Sequence, residues 1–181
     1  MALRRLLFAA AFATLALTPA REAAAQTPPA VEAGSDEAAI HDVIDRFKAA
    51  LVAKDKPGMA NLFYEGNVVW LSSGHPSSRD AMARMTGEPA QIVEDEGAYE
   101  LLDDPRLAAI AIEERFYDPV IRTDGQIATV TFDYDFRAQG QIQNWGQESW
   151  QMVKTEVGWK ILHLLFSVNL QLITPAPSRG E

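Results

Sequence analysis

Four polar residues lie on strand faces that are otherwise apolar, and their types suit proton transfer. By two-residue alternation, Glu114, Tyr134, Glu148 and His163 each share a face with apolar neighbours. A carboxyl group buried beside aromatic rings has its pKa raised by desolvation, toward the value that a general acid or base needs. These four are therefore the candidate catalytic residues. His163 or a desolvated glutamate would move the proton, and Tyr134 would donate a hydrogen bond to an enolate-like oxygen.

Each of the four also has a purely structural interpretation. Glu114 and Glu148 could pair with an arginine of a neighbouring element, such as Arg137. Tyr134 could be a core aromatic whose hydroxyl reaches water, and His163 could be a hydrogen-bonded core histidine. The sequence leaves both interpretations open.

Large apolar side chains on the same faces are the candidate ligand contacts. They are Trp70, Phe132, Trp150 and Met152. The same rings could instead fill the interior and leave no room for a ligand.

Composition excludes several other kinds of site. The chain of 181 residues has no cysteine, which removes thiol nucleophiles, zinc–thiolate sites and disulfides. His41, His75 and His163 lie far apart, and no Gly-rich phosphate loop or dinucleotide fingerprint is present, so we expect neither a metal nor a cofactor. A formal net charge of −9 without clustered Lys and Arg argues against nucleic-acid binding.

Residues 1–25 are predicted to be a cleaved secretory signal. Arg4 and Arg5 precede an apolar run that ends near Leu17, and the small residues 23–25 suit a signal peptidase. The run is too short for a bilayer core of ~30 Å, so no membrane span is expected after cleavage. The predicted location is the bacterial periplasm or exterior. Without this segment 13 basic and 24 acidic residues remain, a net charge of −11.

The next part of the chain predicts helices. A Pro- and Ala-rich lead-in (26–34) precedes Ser35, which is expected to cap a helix with an apolar stripe from Ile40 to Leu51. A short helix near 56–63, a strand over 67–72 and a third helix capped by Ser77 or Ser78 follow. The acidic segment 94–104 is interpreted as a partly helical loop.

The last part predicts an antiparallel meander. Four strands (110–122, 127–138, 141–154 and 159–173) are joined by three short turns. Asp118-Pro119 should bend the first strand, because proline cannot donate to the ladder. A tail over 174–181 is expected to be disordered. Helices followed by a curled sheet indicate the α+β class.

The final strand is apolar on both faces, which favours a homodimer. Alternation places Trp159, Ile161, His163, Leu165 and Ser167 toward the interior. The opposite face then needs a cover, and a second copy of the chain is the simplest one. The predicted contact consists of Leu162, Leu164, Phe166 and Trp150 or its neighbours.

Two segments resemble a known superfamily. The helix I-H-D-V-I-D-R-F-K-A-A-L and the closing G-Q-E-S-W-Q-M-V-K-T-E-V-G-W-K-I-L-H-L-L-F-S resemble the nuclear transport factor 2-like superfamily, in its SnoaL-like and ketosteroid-isomerase-like branch. The resemblance covers 36–169 and implies that 35–173 form one SnoaL-like domain, a cone-shaped α+β roll with an apolar pocket between sheet and helices. That superfamily includes isomerases, polyketide cyclases, dehydratases and members without chemistry. The Asp base and the Tyr–Asp oxyanion hole of ketosteroid isomerases have no residue-by-residue match here.

These observations together predict an exported domain that binds a small apolar molecule in its pocket. The chemistry would be of the isomerase, cyclase or dehydratase type. The alternative is a non-catalytic exported module that dimerises or binds a partner and whose cone is filled by its own side chains. A cavity beside the candidate glutamates would favour the first of these.

Overall fold

The computed structural model describes residues 34–66, 69–96 and 100–178. The predicted signal and nearly all of the lead-in lie outside these residues. The helices are α1 (Asp36–Ala53), α2 (Lys56–Ala60), α3 (Pro76–Thr86), α4 (Glu100–Asp103) and α5 (Pro105–Ala108), with a single 3₁₀ turn at Tyr64–Gly66. The strands are β1 (Val69–Gly74), β2 (Glu94–Asp95), β3 (Ile112–Thr123), β4 (Ile127–Ala138), β5 (Gln141–Thr155) and β6 (Gly158–Leu170).

The strands form one mixed sheet in the order β2-β1-β6-β5-β4-β3. The antiparallel meander from β3 to β6 is confirmed. Strand β1 comes from the helical half of the chain and pairs in parallel with β6. The predicted bend in β3 is a bulge, since the register shifts between Tyr117 and Val120 and Asp118 has φ 50°.

Helix α1 packs its apolar stripe against the inner face of the sheet. The Ser35 Oγ accepts a hydrogen bond from the Ala38 amide at 3.1 Å, which confirms the predicted cap. The stripe residues from Ile40 to Leu51 are buried, and the Phe47 ring meets the ring of Trp150 at 5.0 Å between centroids. This contact joins the helix to the centre of the sheet.

The third helix begins two or three residues earlier than the serine caps predict. Helix α3 starts at Pro76 with His75 as its N-cap residue, and no side-chain hydrogen bond caps it. Ser78 lies inside the helix, fully buried, and its Oγ accepts a hydrogen bond from the Leu170 amide at 3.0 Å. The serine therefore ties α3 to the end of β6.

Strand β6 contains one extra residue that reverses its two faces. Gln151 pairs with His163, but Met152 pairs with Ile161, so Leu162 is the added residue of a bulge. Beyond the bulge Leu164 is buried at the core, and His163 turns to the outer face. The prediction that His163, Leu165 and Ser167 point inward is therefore wrong.

The same bulge removes the predicted dimer surface. Leu164 and Trp150 are fully buried and Phe166 faces the interior, so a second copy cannot reach them. Leu162, by contrast, is 38% exposed and lies at the surface.

Candidate functional site

A cavity of about 800 Å³ lies on the inner face of the sheet. It is bounded by β1, α3, the segment 91–96, the segment 102–106 and the inner faces of β3 to β6. Its wall consists of Trp70, Ser72, Gly74, Arg79, Met82, Gln91, Glu94, Glu96, Leu102, Asp103, Asp104, Pro105, Arg106, Glu114, Tyr134, Phe136, Asn144, Glu148, Phe166, Val168 and Leu170.

The remainder of the interior is filled by aromatic packing. The rings of Phe132 and Trp150 meet edge to face at 5.2 Å, and Met152 is buried beside them in the same core. Three of the four predicted ligand contacts, Phe132, Trp150 and Met152, are therefore core residues and not part of the cavity wall. Trp70 does line the cavity.

Glu148 reaches the cavity from the middle of β5. Its side chain is almost completely buried, and its Oε1 accepts a hydrogen bond from Trp150 Nε1. Burial raises the pKa of the Glu148 carboxyl to about 8, although the Trp150 hydrogen bond opposes the shift. At neutral pH this side chain is therefore mostly a carboxylic acid.

Glu114 reaches the same cavity from β3. Burial raises its pKa well above 4.5, and the negative charges of Glu148 and Asp135 raise it further. Among the described residues no hydrogen-bond donor or cation pairs with Glu114. The arginines that could have neutralised it are engaged elsewhere, since Arg137 binds Asp135 at 2.6 Å and Arg115 binds Glu113 at 3.0 Å.

Tyr134 lies between the two glutamates on the wall, but its hydroxyl is already occupied. The oxygen is 2.9 Å from the Ser167 carbonyl oxygen and 3.0 Å from Asn144 Oδ1. A hydroxyl has one proton, which it can donate to only one of these oxygens. Burial and the neighbouring glutamates raise the pKa of Tyr134 well above 10. The geometry assigns it to bracing the wall and gives no support to donation to a ligand.

Gly146 explains how Tyr134 reaches across the sheet. The two residues are paired between β4 and β5, and a Cβ at Gly146 would lie 2.1 Å from the Ser167 carbonyl oxygen. Only glycine allows β5 and β6 to approach so closely beneath the tyrosine ring.

His163 is not part of the cavity wall. It lies on the outer face of β6, between Val69 of β1 and Gln151 of β5. The sheet separates its imidazole from the cavity. The prediction that His163 transfers a proton in the cavity is therefore wrong, and the bulge in β6 is the reason.

The polar mouth of the cavity was not predicted. Glu96 accepts a hydrogen bond from Ser72 Oγ, and Asp104 pairs with Arg106 at 2.6 Å. Glu96 and Asp104 belong to the acidic segment 94–104, whose composition is unusual but does not indicate where the segment lies in the fold. Arg79 of α3 is a further lining residue, and the sequence carries no signal for it.

Three hydrogen bonds from Lys54, which we call the lysine clasp, hold α5 against the end of α1. The ammonium of Lys54 donates to the carbonyl oxygens of Leu107 at 2.7 Å, Ala108 at 2.8 Å and Ile110 at 2.7 Å. Lys54 is the C-cap residue of α1, with φ 54°. The clasp thus fixes the end of α5, and with it the cavity wall over 102–106, to the end of α1.

The part of the chain that the structure describes holds neither a cluster of metal-ligating side chains nor a membrane-spanning helix. No group of three or more His, Asp or Glu side chains there could hold a metal ion. No helix in those ranges has the length and apolar content needed to cross a membrane.

The arrangement of helices over a curved sheet places the chain in a well-populated class of folds. A nuclear transport factor 2-like superfamily protein from Salmonella enterica serovar Typhimurium is 20% identical, with a TM-score of 0.51 and coverage of 80% of this chain and 94% of that chain. A protein of unknown function from Mycobacterium tuberculosis is 16% identical, with a TM-score of 0.53 and coverage of 79% and 82%. These likenesses define a nuclear transport factor 2-like fold.

The family is narrower than the fold. The SnoaL-like domain matches residues 32–164, and the chain belongs to this family. No curated protein matches it. The resemblance inferred from the two ends of the sequence and the α+β class are thereby confirmed.

Proposed function

We propose that the protein binds a small, largely apolar molecule in this cavity and transfers a proton on it. The observation that carries the proposal is the Glu114–Glu148 pair, two carboxyl groups that line one cavity beside aromatic rings. Among the described residues, neither has a cationic partner. Such groups are costly to bury, and they serve a purpose when a ligand or a reaction uses them.

A carboxyl pair that holds one proton can act as both acid and base. The ionised member takes a proton from a carbon next to a carbonyl group. The protonated member gives its proton to the carbonyl oxygen or to a neighbouring carbon, so protons balance over the cycle. This is the chemistry of an isomerase, cyclase or dehydratase.

Isotope exchange tests this step without knowledge of the natural substrate. Cyclic ketones and enones of one and two rings are incubated with the protein in D₂O, and NMR follows loss of the hydrogen next to the carbonyl. We expect exchange with the unaltered protein, and at least about tenfold slower exchange with Glu114→Gln and Glu148→Gln. His163→Gln, on the other side of the sheet, is the matched control and should exchange normally. Equal rates with and without protein would overturn the proposal.

Export and dimerisation belong to the same proposal. The predicted signal implies that the mature chain begins at Gln26 in a bacterial periplasm or outside the cell, which mass spectrometry of the exported protein would check. A homodimer would use the outer face of the sheet, where Val69, Leu162 and Leu165 are 36–39% exposed. Light scattering at micromolar concentration should give twice the chain mass, and Leu165→Asp should halve it.

A further inference from the structure

We infer that the cavity selects molecules that carry a positively charged nitrogen on an apolar body, over neutral or anionic molecules of the same shape. The inference rests on the proposed small-molecule binding and names the class of ligand. It is drawn from the charges and rings of the wall together.

The wall carries more negative than positive side chains. Six of its residues are acidic and two are basic. Arg106 is used by Asp104, and Asp103 pairs with Lys56. The acids left without a basic partner in the described residues are Glu94, Glu96, Glu114 and Glu148, against the single charge of Arg79. Glu94 and Glu96 outnumber Arg79, and Glu114 and Glu148 add negative charge when they ionise, so an anion would be repelled and a cation attracted.

Aromatic rings supply the second half of a cation site. Trp70, Tyr134, Phe136 and Phe166 line the cavity, and the rings of Tyr134 and Phe166 meet edge to face at 5.8 Å. The faces of aromatic rings attract cations, and the attraction is strongest where water is excluded. An organic ammonium ion fits this wall, because the rings surround its apolar body and the carboxyl groups face its positive charge.

Ionisation of the Glu114–Glu148 pair would balance the single positive charge of such a ligand. The pair has a charge of −1 once either Glu114 or Glu148 loses its proton. A bound cation favours the ionised form, so binding should release protons and strengthen as the pH rises from 6 to 9. The other titratable or charged groups near the pair are Tyr134 from β4, Glu96 and Glu94 from the segment after β1, and Arg79 from α3, which line the same cavity. Asp135 of β4 adds a further negative charge near Glu114.

Three rigid probes separate charge from shape. Phenyltrimethylammonium is permanently charged, tert-butylbenzene is its neutral isostere and benzoate is an anion of similar size. Isothermal calorimetry at pH 6, 7, 8 and 9, in buffers of different ionisation enthalpy, gives affinity and protons released. We expect the cation to bind at least about tenfold more tightly than the isostere at pH 8, and to weaken at pH 6.

Variants of opposite sign complete the test. Glu114→Gln and Glu148→Gln should each weaken binding of phenyltrimethylammonium about tenfold and reduce proton release. Arg79→Gln should strengthen binding of the same cation severalfold. Circular dichroism confirms that each variant is folded. Equal or tighter binding of the isostere or of benzoate would overturn the cation inference and leave the proposed function standing. Binding of none of the probes at millimolar concentration, combined with no isotope exchange, would overturn both.

Discussion

Replacing Glu148 by glutamine should change how the stability of the protein depends on pH. Glutamine keeps the size of the side chain and still offers an oxygen to Trp150 Nε1, but it has no proton to lose. Any pH-dependent difference between the two proteins therefore reports the ionisation of Glu148 and its coupling to Glu114.

The magnitude follows from the buried position of the carboxyl group. Burial raises its pKa from 4.5 to about 8 in the folded protein, and each unit is worth about 1.4 kcal/mol. The folded state binds this proton more tightly than the unfolded state does. Its contribution is therefore fully present below about pH 4.5 and is lost as the pH rises through 8. The free energy of unfolding should fall by up to about 5 kcal/mol over this window.

Urea unfolding followed by tryptophan fluorescence at pH 4.5, 6, 7, 8 and 9 measures the effect. At pH 4.5 the unaltered protein and Glu148→Gln should be equally stable, and at pH 9 the variant should be more stable by several kcal/mol. Glu156→Gln, at the exposed turn between β5 and β6, is the matched control and should follow the unaltered protein. Parallel stability curves for the protein and Glu148→Gln would refute the assignment of Glu148 as a buried acid.

Three further predictions concern the elements that hold the cavity in place. Phe47→Ala should cost about 3–5 kcal/mol in urea unfolding, because the ring contacts the aromatic core, whereas Val52→Ala on the exposed side of α1 should cost under about 0.5. Lys54→Met should cost about 1.5–3 kcal/mol and speed amide hydrogen exchange over 104–110, while Lys48→Met should change neither. Asp135→Ala should cost about 3–5 kcal/mol at pH 7, and the cost should shrink below about pH 4.

The sign of the last effect follows from the surroundings of Asp135. Burial opposes its ionisation, but hydrogen bonds from Arg137 and Tyr117 outweigh burial and hold its pKa below the usual value. The stability it contributes is present above pH 4 and is lost as the pH falls through the lowered pKa. A pH-independent cost would contradict this account. Unchanged exchange over 104–110 in Lys54→Met would contradict the clasp, and equal costs for Phe47→Ala and Val52→Ala would contradict the packing of α1.

Periodicity along single elements predicted much of the fold correctly. The α1 stripe, the Ser35 cap, the β3–β6 meander and the bend at Asp118-Pro119 each depend on a few neighbouring residues. Glu114 precedes the bulge in β3, and Glu148 lies in the regular stretch of β5 that follows an irregularity at Gln143, so alternation places both on the cavity face.

The errors come from one local event and from long-range packing. A bulge at Leu162 has no sequence signature, yet it reverses every later residue of β6 and moves His163 to the outer face. Whether Trp70 or Trp150 borders empty space depends on how far α1 penetrates, which only the whole structure determines. The segment 94–104 lacks a period, so its place at the mouth could not be predicted.

The parallel pairing of β1 with β6 has a consequence for the order of events during synthesis. Trp70 of β1 lies beside Leu164 of β6, more than ninety residues later in the chain. The ribosome therefore releases α1 and β1 long before their partner strand exists, whereas the meander closes through short turns. The apolar stripe of α1 and one edge of β1 must wait unprotected until the last strand is made. We therefore expect the nascent chain to be most prone to aggregation during this interval.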